Sequence, residues 1–198
     1  MIQLLNRTIR QLAVAGFVAL TAPSVSAQDK AAAAPRVLLA TSAGDITLQL
    51  DPEKAPKTVA NFLEYVKSGH YDGTVFHRVM DGFMIQGGGF TPDMAQKPTR
   101  APIPLESRNG LKNERGSVAM ARTSAPDSAT AQFFINVVDN AMLDQANSRD
   151  GQGYAVFGKV VGGMDVVDKI RKVETGTRGG HQNVPVSPVV IRSATIVK

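Results

Sequence analysis

Cysteine and tryptophan are absent from the 198 residues. Without cysteine the fold has no disulfide to restrain it, and the chain has no thiol nucleophile or thiolate metal ligand. Histidine occurs only as His70, His77 and His181, and no two of them stand at metal-ligand spacing. The Gly-x-Ser-x-Gly elbow of α/β hydrolases is missing. Gly87-Gly88-Gly89 is not followed by Gly-Lys-Ser/Thr, so it is not a phosphate loop. Its glycines suit a sharp bend or a close approach of backbone. Hydrolase, nucleotide and metal-site readings are therefore weak, and neither a metal nor a cofactor is expected.

Long apolar runs are lacking too. Leu12 to Leu20 is apolar but much shorter than the ~20 residues that span a bilayer. It follows Arg7 and Arg10 and precedes the small residues Ser24-Val25-Ser26-Ala27. Positive, apolar, then small is the order of a Sec-type signal peptide, which predicts residues 1–27 as a leader cut after Ala27. The alternative is an uncut anchor, which the short apolar core disfavours. Export to the periplasm is expected, with no stable membrane association after cleavage. Loss of the two leader arginines takes the 22 Lys+Arg to 20 against 17 acids, a net +3. That mild excess, with no basic stripe, points away from nucleic acid. No dimer motif is evident, and a monomer is the expectation.

Residues 28–35 are Ala-rich and read as a short lead-in to one domain over 36–198. Val37–Ala40 and Ile46–Leu50 read as strands about a Gly-containing turn. A helix is predicted over Pro56–Ser68, with Pro56 in the first turn, Gly69 at the stop, and Val59, Phe62, Leu63 and Val66 at helical spacing. Short β-prone runs follow at Thr74–Met80, Phe83–Gln86, Ser117–Ala121, Phe133–Val138 and Tyr154–Val161. A second helix is predicted over Met164–Lys172, with Val166, Val167 and Ile170 on one face, and a last strand over Val189–Val197. Many short strands with two helices fit a β-barrel better than a sandwich. Long irregular segments at 91–116, 122–131 and 139–153 are expected to wall a groove.

The densest segment is Phe76 to Gly89, F-H-R-V-M-D-G-F-M-I-Q-G-G-G. Alternation puts Met84 and Gln86 on one strand face and Ile85 on the other. In A-Q-F-F-I-N, from Ala131 to Asn136, Gln132 and Phe134 share a face while Phe133 and Ile135 turn inward. Each strand offers an amide beside a bulky apolar group, as a surface for an apolar residue within a polypeptide requires. Alternation also turns His77 away from Arg78, which gives His77 a structural reading.

These blocks, with G-S-V-A-M-A-R and Y-A-V-F-G-K-V-V, resemble the cyclophilin signature blocks in the same order, from about Val37 to the C-terminus. A-M-A-R-T and Q-N-V-P-V-S-P-V-V-I are most similar to periplasmic bacterial members. The resemblance implies a mainly β fold: a closed eight-stranded antiparallel barrel capped by two α-helices. It implies cofactor-free peptidyl-prolyl cis–trans isomerase activity on proline-containing, unfolded or partly folded polypeptides. Arg78 matches the catalytic arginine. Phe83, Met84, Phe134 and Leu143 match the proline-pocket walls. Gln86 matches the glutamine that holds the substrate backbone, and Gln132 a second polar residue beside it. Ala121 and Arg122 match the strand end that pairs with the substrate main chain. The chain departs from the family pattern at Arg122, where eukaryotic members have Asn. It departs at Met142, where cyclosporin-sensitive members have Trp, and at Tyr154, where many have His. A non-enzymatic peptide binder using the same groove is the alternative, and a cation beside apolar walls favours the enzyme.

Overall fold

The computed structural model describes residues 34–197, so the leader over 1–27 and most of the lead-in over 28–35 lie outside the described residues. The described chain opens with β1 (Arg36–Thr41) and β2 (Gly44–Leu50), which pair antiparallel from Arg36↔Gln49 to Thr41↔Gly44. Their alternating side chains Val37, Leu39, Ile46 and Leu48 are fully buried, so the period-two pattern marks the core face.

Helix α1 (Pro56–Lys67) follows, with Pro56 at its start and Val59, Phe62, Tyr65 and Val66 buried. Its N-cap residue, Ala55, has no capping oxygen. Glu106, far along the chain, supplies one. The Glu106 carboxylate accepts from the backbone N–H of Lys57 and Thr58 at 3.1 and 2.8 Å and from the Thr58 hydroxyl at 2.7 Å. An anion there suits the positive end of the helix dipole and ties the 91–116 segment to the body.

Strands β3 (Thr74–Met80), β4 (Met84–Gly87), β5 (Ser117–Met120), β6 (Phe133–Asn136) and β7 (Val156–Gly162) come next. Helix α2 (Met164–Arg171) buries Val166, Val167 and Ile170, as its spacing predicts. The chain ends with β8 (Thr175–Arg178), β9 (His181–Pro185) and β10 (Val190–Val197). Eight strands close into an antiparallel barrel in the order β1-β10-β3-β4-β6-β5-β7-β2, and β8 and β9 form a separate hairpin. Closure leaves the barrel no unpaired edge. Phe62, Tyr71, Phe76, Phe133 and Phe157 fill its core, with Phe133 edge-on to Phe62 and Tyr71, both at 5.5 Å.

The hairpin is absent from the sequence-based prediction. β8, Thr-Gly-Thr-Arg, is exposed throughout, and β9 opens on the polar His-Gln-Asn and buries only Val184 and Pro185 at its end, so no apolar alternation announces the pair. The one available signal was Gly179-Gly180 at the tip, a dipeptide that favours tight hairpins.

Candidate active site

The site lies on the outer face of β3, β4, β6 and β5. Pairing register aligns one row across them: Arg78 opposite Gln86, Gln86 opposite Phe134, and Phe134 opposite Ala119. Directly opposed residues on one face lie within side-chain contact. A cation, an amide and an aromatic ring, far apart in sequence, thus become neighbours. Met84 and Phe134 pack with Ala119 and Val156 in an apolar cluster outside the barrel core, flanked by Phe83, Leu143 and Tyr154. Ile85, Phe133 and Ile135 point the other way, into the barrel.

Gly88 and Gly89 make the next part of the site possible. Gly88 has φ +84°, and a Cβ there would fall 2.8 Å from the Tyr71 ring. A Cβ on Gly89 would fall 2.6 Å from Cγ of Gln132. Lacking one, Gly89 lets Gln132 lie flat across it, and Gln86 Nε2 donates to Gln132 Oε1 at 2.9 Å. The triple glycine is a close-approach device rather than an anion cradle.

Arg78, Phe83, Met84, Gln86, Ala121, Arg122, Phe134, Leu143 and Tyr154 converge on one open cleft of about 210 Å³. Two predicted site residues stand outside it. Gln132 is held behind Gln86 and lines the adjoining cavity instead. Met142 projects from a 3-10 turn (Ala141–Leu143) and is 63% exposed, because the turn directs Leu143 to the apolar cluster and its neighbour to solvent.

The two arginines of the cleft are in opposite states. Arg122 is fully engaged. Its Nε and Nη1 donate to the carbonyls of Gly153 and Thr123, both at 2.9 Å, Nη2 pairs with Asp150, and the guanidinium lies 4.7 Å from the Tyr154 ring centroid. Its side chain is only 2% exposed. Hydrogen bonding from Arg122 holds the Asp150 carboxyl well below the usual carboxylate range. Arg122 therefore fastens the 122–131 segment to the 139–153 segment and fixes the rim. Arg78 makes one long contact, Nη1 to Gln86 Oε1 at 3.5 Å, and lies 5.9 Å from the Phe83 ring centroid. Among the described residues no carboxylate lies within ion-pair distance of it. Among the described residues its remaining N–H donors have no other partner and are available to the cleft.

A family model described as cyclophilin type peptidyl-prolyl cis-trans isomerase/CLD matches residues 36–196. The chain belongs to this family of isomerases. It is 64% identical over 162 residues to the peptidyl-prolyl cis-trans isomerase cyp18 of Streptomyces antibioticus, covering 81% of this chain and 98% of the relative. It is 62% identical to peptidyl-prolyl cis-trans isomerase A of Dickeya dadantii, covering 82% and 84%. Among solved structures it is similar to a cyclophilin type isomerase of Cryptosporidium parvum crystallised with the dipeptide Ala-Pro. The TM-score is 0.71 at 27% identity, covering 82% of this chain and 99% of that one. The enzyme is thus a cyclophilin-type peptidyl-prolyl cis–trans isomerase, and its barrel is the one the family resemblance implies.

Behind the cyclophilin cleft lies a buried polar network that sequence reading missed. Asn140 Nδ2 donates to the Phe83 carbonyl at 2.8 Å and to Asn136 Oδ1 at 2.7 Å. Asn136 donates to Asn113 and Ser117, and Asn113 donates to Asp144. The network joins the Phe83 wall to the turn that carries Leu143. Buried amides are costly unless paired, and here each finds partners. The only sequence signal was three asparagines in loop-flanking positions, which ordinarily read as turn formers.

His77 corrects the alternation argument. The β3–β4 register shifts between Phe76 and Arg78, and Phe76 and Val79, three apart, both enter the core. This bulge turns His77 and Arg78 outward together, so His77 does not face away from Arg78. His77 is nonetheless only 4% exposed. Burial, with neighbouring His181 second, pushes its imidazole from 6.5 down to about 4. Above pH 6.5 the ring is neutral in both folded and unfolded chains, and its contribution is unaffected. Between 6.5 and 4 the unfolded chain takes up a proton that the folded one refuses, so stability falls as pH falls. The expected loss by pH 4 is about 3 kcal/mol. Urea melts between pH 7.5 and 4.5 should show this slope, flatter in His77→Gln. The residual slope belongs to His70, also lowered chiefly by burial. Equal slopes in both proteins would refute the assignment.

Proposed function

We propose that this isomerase works non-covalently, with Arg78 acting on an X-Pro amide whose proline ring sits in the cleft beside Phe83, Met84, Phe134 and Leu143. The observation that carries the reading is the contrast between the cleft's arginines: Arg122 is locked in place, and Arg78 presents unengaged donors beside apolar walls.

Amide resonance sets a rotation barrier of roughly 18–20 kcal/mol. Rotation breaks that resonance, leaving a pyramidal nitrogen with a free lone pair. A donor aimed at that nitrogen finds its acceptor only in the twisted state, so it lowers the barrier instead of merely tightening binding. Arginine stays charged at any working pH, and its planar fork reaches a carbonyl and a nitrogen together. The apolar walls hold the ring while the preceding carbonyl swings. Gln86, fixed by Gln132 at 2.9 Å, keeps a polar contact for the substrate backbone, and Ala121 on the cleft rim offers main chain for pairing. The Cryptosporidium relative crystallised with Ala-Pro supports a proline-containing ligand for such a cleft. Proline-isomer exchange on wild type and Arg78→Ala tests the reading.

The substrates under this reading are exported polypeptides met in the periplasm. The support is the charged, apolar, small order of residues 1–27. N-terminal sequencing of the exported protein should read from Gln28. A product that starts at Met1 would overturn the leader reading.

A further inference from the structure

A second cavity, about 460 Å³ against about 210 Å³ for the proline cleft, shares Arg78 and Gln86 with it. His77 and Phe90, then Gln132, and then the hairpin tip at Gly180 and the first residues of β9 complete its lining. Phe90 stands between two imidazoles, 4.6 Å from His77 and 4.9 Å from His181 by ring centroids. This strip runs from a buried ring, His77, to an exposed one, His181.

The chemistry of the lining is one-sided. Arg78 brings the one permanent charge, and no carboxylate takes part. Gln132, Gln182 and Asn183 contribute amides. His77 Nδ1 is buried without a hydrogen-bond partner. That nitrogen is closed off from solvent, so what the cavity offers a ligand is the Arg78 charge and the amides.

We infer that this cavity is a second substrate subsite, which takes the side chain of a residue flanking the proline and selects acidic side chains over basic ones. A carboxylate entering it meets amide N–H groups and the outer edge of the Arg78 guanidinium. That guanidinium has five N–H donors, enough to serve both cavities. An ammonium or guanidinium entering it meets Arg78 with no acid to pair it, and like charges set close together are penalised. The inference rests on the proline seat proposed above, because the shared wall is what brings a flanking residue to the second cavity.

The test uses the full chain and an alanine-rich pentapeptide with proline at its centre. Glu or Lys is placed singly at each of the four other positions, and kcat/KM is read by isomer exchange near neutral pH. At one position the Glu peptide should be turned over about tenfold better than the Lys peptide, the ratio a ~1.4 kcal/mol difference carries. His181→Glu should carry the ratio toward Lys at that same position. Gln182→Glu, at another exposed site of the hairpin, should do likewise and guards against one variant folding poorly. Ratios near one at all four positions, or a ratio that neither variant moves, would overturn the subsite. That failure is distinct from failure of the proline seat, which would show as full turnover of the all-alanine peptide by Arg78→Ala.

Discussion

Arg78→Ala should lose about 10²–10³ in kcat/KM for proline isomerisation, the order seen when one positioned transition-state donor is removed. The fold should barely notice, because the side chain is half-exposed and joins no ion pair among the described residues. A change within about 0.5 kcal/mol in a denaturant melt is the expectation for such a site. Arg78→Lys keeps the charge and loses the planar fork, so it should recover only part of the rate. Under the proposed mechanism the donor finds its acceptor only in the twisted amide, so the loss should fall on kcat as well as kcat/KM. Near wild-type turnover by folded Arg78→Ala would end the catalytic reading of this residue.

Phe134→Ala should be costly on both counts. Phe134 is 4% exposed, packs with Met84 and Val156, and meets Tyr154 edge-on at 5.6 Å. Removing a buried phenyl ring costs about 3–5 kcal/mol of stability. It also removes the wall against which a proline ring would rest. Burial of a ring of that size is worth about 1.5–3 kcal/mol, so kcat/KM should fall roughly 10–100-fold. The assay belongs at low temperature and low denaturant, where the variant is folded. Phe134→Leu, which keeps an apolar wall, should recover much of both losses. A folded Phe134→Ala enzyme with unchanged kcat/KM would mean that proline does not sit in this cleft. The two variants thus test separately the barrier-lowering role proposed for Arg78 and the substrate-holding role proposed for Phe134.

How far the residues announced this structure depends on the kind of contact. Helix faces were plain: Val59, Phe62 and Val66 on α1, and Val166, Val167 and Ile170 on α2, are buried as their spacing predicts. Ile85 against Met84, and Phe133 and Ile135 against Phe134, divide between barrel core and cleft as alternation requires. Alternation failed at one place, the bulge at His77, where an added residue resets the period. It was silent at β8 and at the polar start of β9, which carry no apolar alternation. Met142 was assigned with its neighbour Leu143, and the turn separated them. Chain position cannot say which of two adjacent loop residues faces a groove.

The sequence by itself determined the family, the two helices, most barrel strands and the segment from Phe76 to Gly89 that brings Arg78 and Gln86 to the cleft. Patterns of local period and ordered motif blocks suffice for that. The tertiary structure alone decided which arginine is available. Arg122 and Arg78 carry the same charge and both line the cleft. The carboxylate and carbonyl that hold Arg122, from Asp150 and Gly153, arrive from about thirty residues further along the chain. Arg78 lies opposite Gln86 across a strand pair and meets no such anion among the described residues. A guanidinium's role is set by the partners around it, and those are fixed by long-range packing that no local pattern records.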